Sequence, residues 1–201
     1  MINIPKFVAS AYEIAPVGRH LATVSAIVDV GTQVSIYAAR RTVSPKVQLT
    51  FELSNLRHSR TGKPLKVTQL STLSMHPKAN LRKNIEGWMG KGMTDEEANA
   101  FEFSWMLRRH CQLDVSHNVK DNNVYAAVAR ILPVSDGTVL PEAANDPVVF
   151  SLGAPDLKVF ASLSTSMQAL IQASPEWRKL PFANNWLAQY DADIAANEPA
   201  F

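Results

Sequence analysis

One cysteine, eight glycines and no long apolar run set the first limits on this 201-residue chain. A lone Cys111 excludes an internal disulfide framework and any multi-cysteine zinc ribbon. No stretch reaches the roughly 18 consecutive apolar residues of a membrane helix, and mean hydropathy is −0.07. The opening Met1-Ile2-Asn3-Ile4-Pro5-Lys6 has no basic segment followed by an apolar core, so no signal peptide is expected. Neither phosphate-cradling pattern, G-x-x-x-x-G-K-[ST] or G-x-G-x-x-G, is present; Gly87, Gly90 and Gly92 mark a helix break instead. These absences point to a globular protein of a reducing compartment.

What is there suffices for a core. Hydrophobic residues make up 46% of the chain and charged residues 19%, and a chain of this length forms about one domain with extensions. The formal net charge of +2 conceals a split. Residues 1–120 carry 16 Lys and Arg against nine Asp and Glu, whereas residues 121–201 carry four against nine. Such asymmetry suits an anionic partner for the first part and a separate role for the second, or an uneven surface of no consequence.

The pattern along the chain predicts an arm over residues 1–17, then a domain over residues 18–175. A first strand ends at Ile27-Val28-Asp29-Val30 before Gly31, and residues 31–45 read as a long connection. Val47, Leu49, Phe51 and Leu53 alternate with Lys46, Gln48, Thr50 and Glu52, the clearest period-two signal in the chain. A polar, basic loop over residues 55–64 precedes a third strand over 65–75. A helical insert over 77–109 follows. Its first helix carries Leu81 and Ile85, and its second opens on the capping box Thr94-Asp95-Glu96-Glu97 and ends near Arg108-Arg109. Leu113 and Val115 mark strand four, Asp121-Asn122-Asn123 a tight turn, and residues 124–132 strand five. Beyond them lie a short strand near 148–152, a helix over about 156–173 and a flexible acidic tail over 176–201. The fold class is therefore mainly β with a helical insert (α+β). The order β-β-β-α-β-β is that of the OB-fold, a five-stranded, partly open barrel that binds oligonucleotides, though other β-rich folds share it.

Single-strand binding requires cations that follow phosphates and flat side chains that stack on bases. The connection after the first strand supplies Tyr37, Arg40, Arg41 and Lys46; the loop before the third supplies Arg57, Arg60, Lys63 and Lys66. Trp88 and Lys91 lie between the two helices, and Tyr125 on strand five. Trp88, close to Gly87 and Gly90, reads first as a core plug and second as a stacking ring. Chemistry by a nucleophile or metal is poorly supplied. Cys111 opens a strand as a small buried hydrophobe would, and Cys111 with His117 leaves a tetrahedral site short of ligands. No paired carboxylates are spaced to hold Mg²⁺, so neither an enzyme nor a cofactor is expected. In the tail, Asp191, Asp193, Glu198 and the terminal Phe201 form an acidic segment able to compete with DNA or dock in a partner's pocket, or merely a solvated end.

Four stretches resemble a family of bacteriophage single-stranded DNA-binding proteins. They are Val28-Asp29-Val30-Gly31-Thr32-Gln33; Val47-Gln48-Leu49-Thr50-Phe51-Glu52-Leu53; Leu73-Ser74-Met75-His76-Pro77-Lys78-Ala79-Asn80-Leu81-Arg82, continuing through Trp88 to Glu97; and Cys111-Gln112-Leu113-Asp114-Val115-Ser116-His117 with Tyr125-Ala126-Ala127-Val128. They fall within residues 18–175, and the third is the most specific. The resemblance implies an OB-like core, a role in phage DNA replication or recombination, and residence in the bacterial host's cytoplasm. It also implies single-stranded DNA as partner, with replication or recombination proteins recruited by the tail. It supplies no map of the groove and leaves self-association open. A protein-interaction adaptor on the same scaffold is the rival reading.

Overall fold

The computed structural model of the protein describes residues 13–37, 40–120 and 122–197, without the side chains of Tyr37, Arg40 and residues 193–197. Six strands form one sheet: β1 (Gly18–Tyr37), β2 (Arg40–Arg57), β3 (Pro64–Thr72), β4 (His110–Lys120), β5 (Asn123–Leu132) and β6 (Val148–Phe150). The hydrogen-bonded order is β3-β2-β1-β4-β5, all antiparallel, and β6 adds to β1 in parallel. β1 has two neighbours on one edge in succession. It pairs with β4 over Gly18 to Thr23 and with β6 over Ala26 to Val28.

The alternation in β2 works as the sequence predicts. Val47, Leu49, Phe51 and Leu53 are buried, and they meet Ala22, Val24 and Ile27 of β1 and Leu113 and Val115 of β4 in one core. Helix α1 (Asn80–Met89) closes that core with Leu81, Ile85 and Trp88. It touches both β3 and β5, the two outermost strands. Among the described residues no strand pairing joins β3 to β5, so the expected five-stranded barrel is instead a six-stranded sheet that does not close. Arg82 of α1 is buried but fully served: Glu86, Asp95 and the carbonyls of Met75 and Met93 accept its donors.

Several boundaries differ from the sequence reading, each for a physical reason. Residues 31–45 are not a connection but the outer half of a hairpin, paired from Thr32–Pro45 to Tyr37–Arg40. Gly31 is a bulge residue at φ 68° rather than a turn. Pro45 lies one residue past the last β2–β3 pair, Lys46–Thr72, where β2 has become an edge strand that tolerates proline. The capping box at Thr94 forms, but α2 covers only Asp95–Asn99, and a 3-10 turn follows at Phe103–Met106. Phe101, Phe103, Trp105 and Trp88 interlock edge-on there, and that packing takes the chain out of the helix.

The helix expected over 156–173 is two helices, α3 (Leu157–Ser162) and α4 (Thr165–Gln172), because the Ser164 hydroxyl caps a new start by accepting from the Met167 amide. Residues 176–197 are not a free tail. Helices α5 (Pro175–Arg178) and α6 (Trp186–Asn197) continue the fold. Trp177, Phe160 and Ile171 form a second core with Val28 and Val30 on the opposite face of β1, and Trp186 and Tyr190 pack against it. At the other end, residues 1–12 of the expected arm lie outside the described residues. Ala15, in contrast, is buried in the main core, and its carbonyl accepts from His117 Nε2 at 2.8 Å.

Candidate nucleic-acid interface

Direct cross-strand partners share a face, so the register assigns each side chain to the core side or the outer side of the sheet. From β3 to β5 the outer side carries Lys66, Thr68 and Leu70, then Lys46, Gln48 and Thr50, then Arg19 and Leu21, then Gln112, Asp114 and Asn118, and finally Arg130 and Tyr125. The connection 133–147 crosses the middle of this side on four tethers. Gln112 donates to Ser135 at 3.1 Å, His110 to the Pro141 carbonyl at 2.8 Å, and Asn145 to Glu52 at 2.7 Å. Arg108 pairs with Asp146 at 2.6 Å. What stays open is the β2–β3 surface on one flank and the β4–β5 surface on the other.

Two hairpins outrun the packed core. In β1–β2, Val34, Ile36 and Val43 are exposed; in β4–β5, Val119, Val124 and Tyr125 are. Their tips point away from each other along β1, since β4 pairs with its beginning and the β1–β2 turn lies past its end.

The residues singled out in the sequence divide between these places. Arg40 and Arg41 sit at the β1–β2 tip, with Arg41 exposed opposite Ile36; Tyr37 pairs with Arg40 in the backbone ladder. Lys46 is on the outer face, its ammonium donating to the Thr72 hydroxyl at 2.8 Å. Arg57, Arg60 and Lys63 occupy the β2–β3 turn, which closes through His58 N–H to the Lys63 carbonyl at 2.8 Å. All three are exposed, and among the described residues none has a carboxylate within ion-pair distance. Lys66 is partly neutralised by Glu52 at 3.1 Å, and Lys91 by Glu97 at 3.8 Å. The cations therefore do not form one patch. Arg41 and Arg57 are separated by about 50 Å of strand at ~3.3 Å per residue, with Lys46 between them.

Trp88 does not belong to the surface. It is buried, its indole N–H donates to the His110 carbonyl at 2.9 Å, and Trp105 meets it edge-on, so no base can reach its ring. Of the acidic residues assigned to a partner, Asp191 is exposed on α6 and Asp193 lies on the same helix. Glu198 and Phe201 lie outside the described residues.

The sequence reading overlooked Arg19 and Arg130 as surface cations. Both contact Asp114, Arg19 Nε at 2.8 Å from Oδ1 and Arg130 Nε at 3.2 Å from Oδ2. The Arg19 hydrogen bond, with the charges of both guanidinium groups, holds the Asp114 carboxyl below its ordinary range. Alternation within β1 or β5 could have put each arginine on an outer face, but only the β1–β4–β5 register brings them together. Cys111 is buried, and desolvation pushes its thiol up to about 12, which suits a packing residue rather than a nucleophile. Among the described residues no group of three His, Cys, Asp or Glu side chains is placed to hold a metal ion, and no helix is long and apolar enough to cross a membrane.

Set beside known proteins, the chain matches no protein-family model and no curated relative.

Proposed function

We propose that the protein binds single-stranded DNA without catalysis and with little sequence preference, through an OB-like open barrel. The context implied by the sequence resemblance is phage replication or recombination. The observation that carries the reading is the strand order β3-β2-β1-β4-β5 with a helix between β3 and β4. In an OB-fold the β2–β3 face and the β1–β2 and β4–β5 connections hold the oligonucleotide, and here those same two hairpins extend beyond the core. Lys46, Arg57, Arg60 and Lys63 supply cations for phosphates along the β2 flank, Arg41 stands at the hairpin tip on the face of Ile36, and Tyr125 offers a ring for a base. The exposed Asp191 carboxylate on α6 is available to a protein partner.

Fluorescence anisotropy of a labelled dT oligonucleotide, against duplex of equal length over a salt series, tests the proposal. Single-strand preference is expected, with log K falling against log salt by about 0.7 per phosphate neutralised. Absence of binding at low salt, or equal affinity for duplex, overturns it. One observation favours the adaptor reading instead: Val34, Ile36 and Val43 form an exposed apolar row on the core-side face of the β1–β2 hairpin. An oligonucleotide-blind protein that loses a binding partner on Val34→Ser with Ile36→Ser would be such an adaptor.

A further inference from the structure

We infer that Arg19, Arg130 and Tyr125 form a discrete phosphate-and-base subsite on the outer face of β4–β5, with Asp114 as its positioning residue. The inference rests on the single-strand reading and assigns a ligand path to it. Asp114 divides its carboxylate between two arginines on different strands: Arg19 reaches it through Nε at 2.8 Å and Nη2 at 3.4 Å, and Arg130 through Nε at 3.2 Å. Two guanidinium groups on one carboxylate leave a net positive charge. They also leave Arg19 Nη1 and both terminal nitrogens of Arg130 without a partner among the described residues. Exposed ion pairs of this kind add little to stability. Here the hydrogen bonds tie Arg19 to Asp114 and the ion pair keeps Arg130 beside it, which lowers the cost of engaging a phosphate.

Tyr125 stands on the same face. It pairs with Asn118, four residues from Asp114 along β4 and so about 13 Å away, and it is 52% exposed. The side chains between are small or polar, Ser116 opposite Ala127 and Asn118 beside the ring, and Lys120 continues the face towards the tip. Cation, flat ring and cation thus follow one another along a strip with no bulky obstruction. The tethers of connection 133–147 at Gln112 and His110 bound its inner end. This order suits an extended single strand, its backbone on the cations and one base on the ring. Among the described outer-face side chains of β2 and β3 none is aromatic, whereas Tyr125 gives this flank a ring for a base.

The test uses the full chain and a labelled dT oligonucleotide over a salt series. Tyr125→Ala should bind about tenfold more weakly at every salt concentration, with an unchanged slope, while Tyr125→Phe should match the wild type. Arg19→Gln and Arg130→Gln should each flatten the salt slope by about 0.7. Arg178→Gln, the same loss of charge at an exposed position on α5, should leave the slope unaltered. Wild-type binding with an unaffected Tyr125→Ala, or with Arg178→Gln flattening the slope as much as Arg130→Gln, overturns the subsite alone. A wild-type chain that ignores the oligonucleotide overturns the parent reading together with it.

Discussion

Gly31→Ala is expected to pull the C-terminal layer off β1. Gly31 has φ 68°, in the left-handed region where a Cβ costs about 1–2 kcal/mol. The new methyl would stand 2.6 Å from Ser174 Cβ, 2.7 Å from its Oγ and 2.8 Å from Leu152 Cδ1. Leu152 has rotamers to escape into. Ser174 has none to spare: it is fully buried, and its hydroxyl accepts from the Trp177 amide at 3.1 Å, the bond that starts α5. Forcing extra volume into such a site costs a further 1–3 kcal/mol or so. The total is roughly 2–5 kcal/mol, and at about 2–4 °C per kcal/mol for a chain of this size Tm falls by roughly 4–20 °C. Urea unfolding and a thermal melt measure the loss. Near-UV circular dichroism reports whether Trp177 still stacks on Phe160, 4.3 Å between ring centroids. Gly62→Ala is the companion variant, because Gly62 has φ 65° but no atom within 4 Å of an added Cβ. It isolates the backbone cost. Should Gly31→Ala lose no more stability than Gly62→Ala, the tight contact with Ser174 is not what holds this layer, and the reasoning fails.

Two other outcomes follow from buried groups. Trp88→Ala should cost about 3–5 kcal/mol in urea unfolding, as expected for a large core aromatic, while the oligonucleotide salt slope stays the same. A flattened slope would return Trp88 to the surface. The Cys111 thiol should resist a disulfide reagent in the native protein and react once the chain is unfolded. Its raised pKa means that the unfolded chain releases the proton above about 9 while the native state keeps it to about 12. Stability should therefore fall as pH rises across that window, and Cys111→Ala should lessen the fall.

Period-two alternation made β2 and β4 legible because each has one face in the core. The outer halves of the hairpins lacked that contrast. Val34, Ile36 and Val43 alternate with polar residues, yet Gly31 and Pro45 punctuate the stretch as a loop would, and their roles as bulge and edge residue depend on pairing partners. The capping box at Thr94 was readable because its chemistry lies within four residues. The early end of α2 was not, since it depends on Trp88 meeting Trp105 from another element. The C-terminus misled for a similar reason. Asp191 faces outward, but Glu176 accepts from the Thr32 amide and hydroxyl of β1, and the apolar residues that anchor the segment, Trp177 and Trp186, pack with Phe160, against the core that Val28 and Val30 supply from almost 150 residues upstream. Among candidate site residues, single cations in turns were visible one by one. The Arg19–Asp114–Arg130 arrangement spans 95 residues between its first two members and exists only in the folded register.

Among the described strands β1 comes earliest in the chain and is the last to be finished. β2 follows it directly, but its opposite edge receives β4 only after some 90 residues and β6 only after ~120, with Ala26 awaiting Val148. At the ~5–20 residues per second of translation, that edge waits roughly 6–24 s, with Val28 and Val30 uncovered for longer still until Trp177 arrives. An unpaired, β-branched edge is a template for pairing with another chain. The interval before the final helices emerge is therefore when this protein is most exposed to aggregation, and a chain shortened from its C-terminus would never leave it.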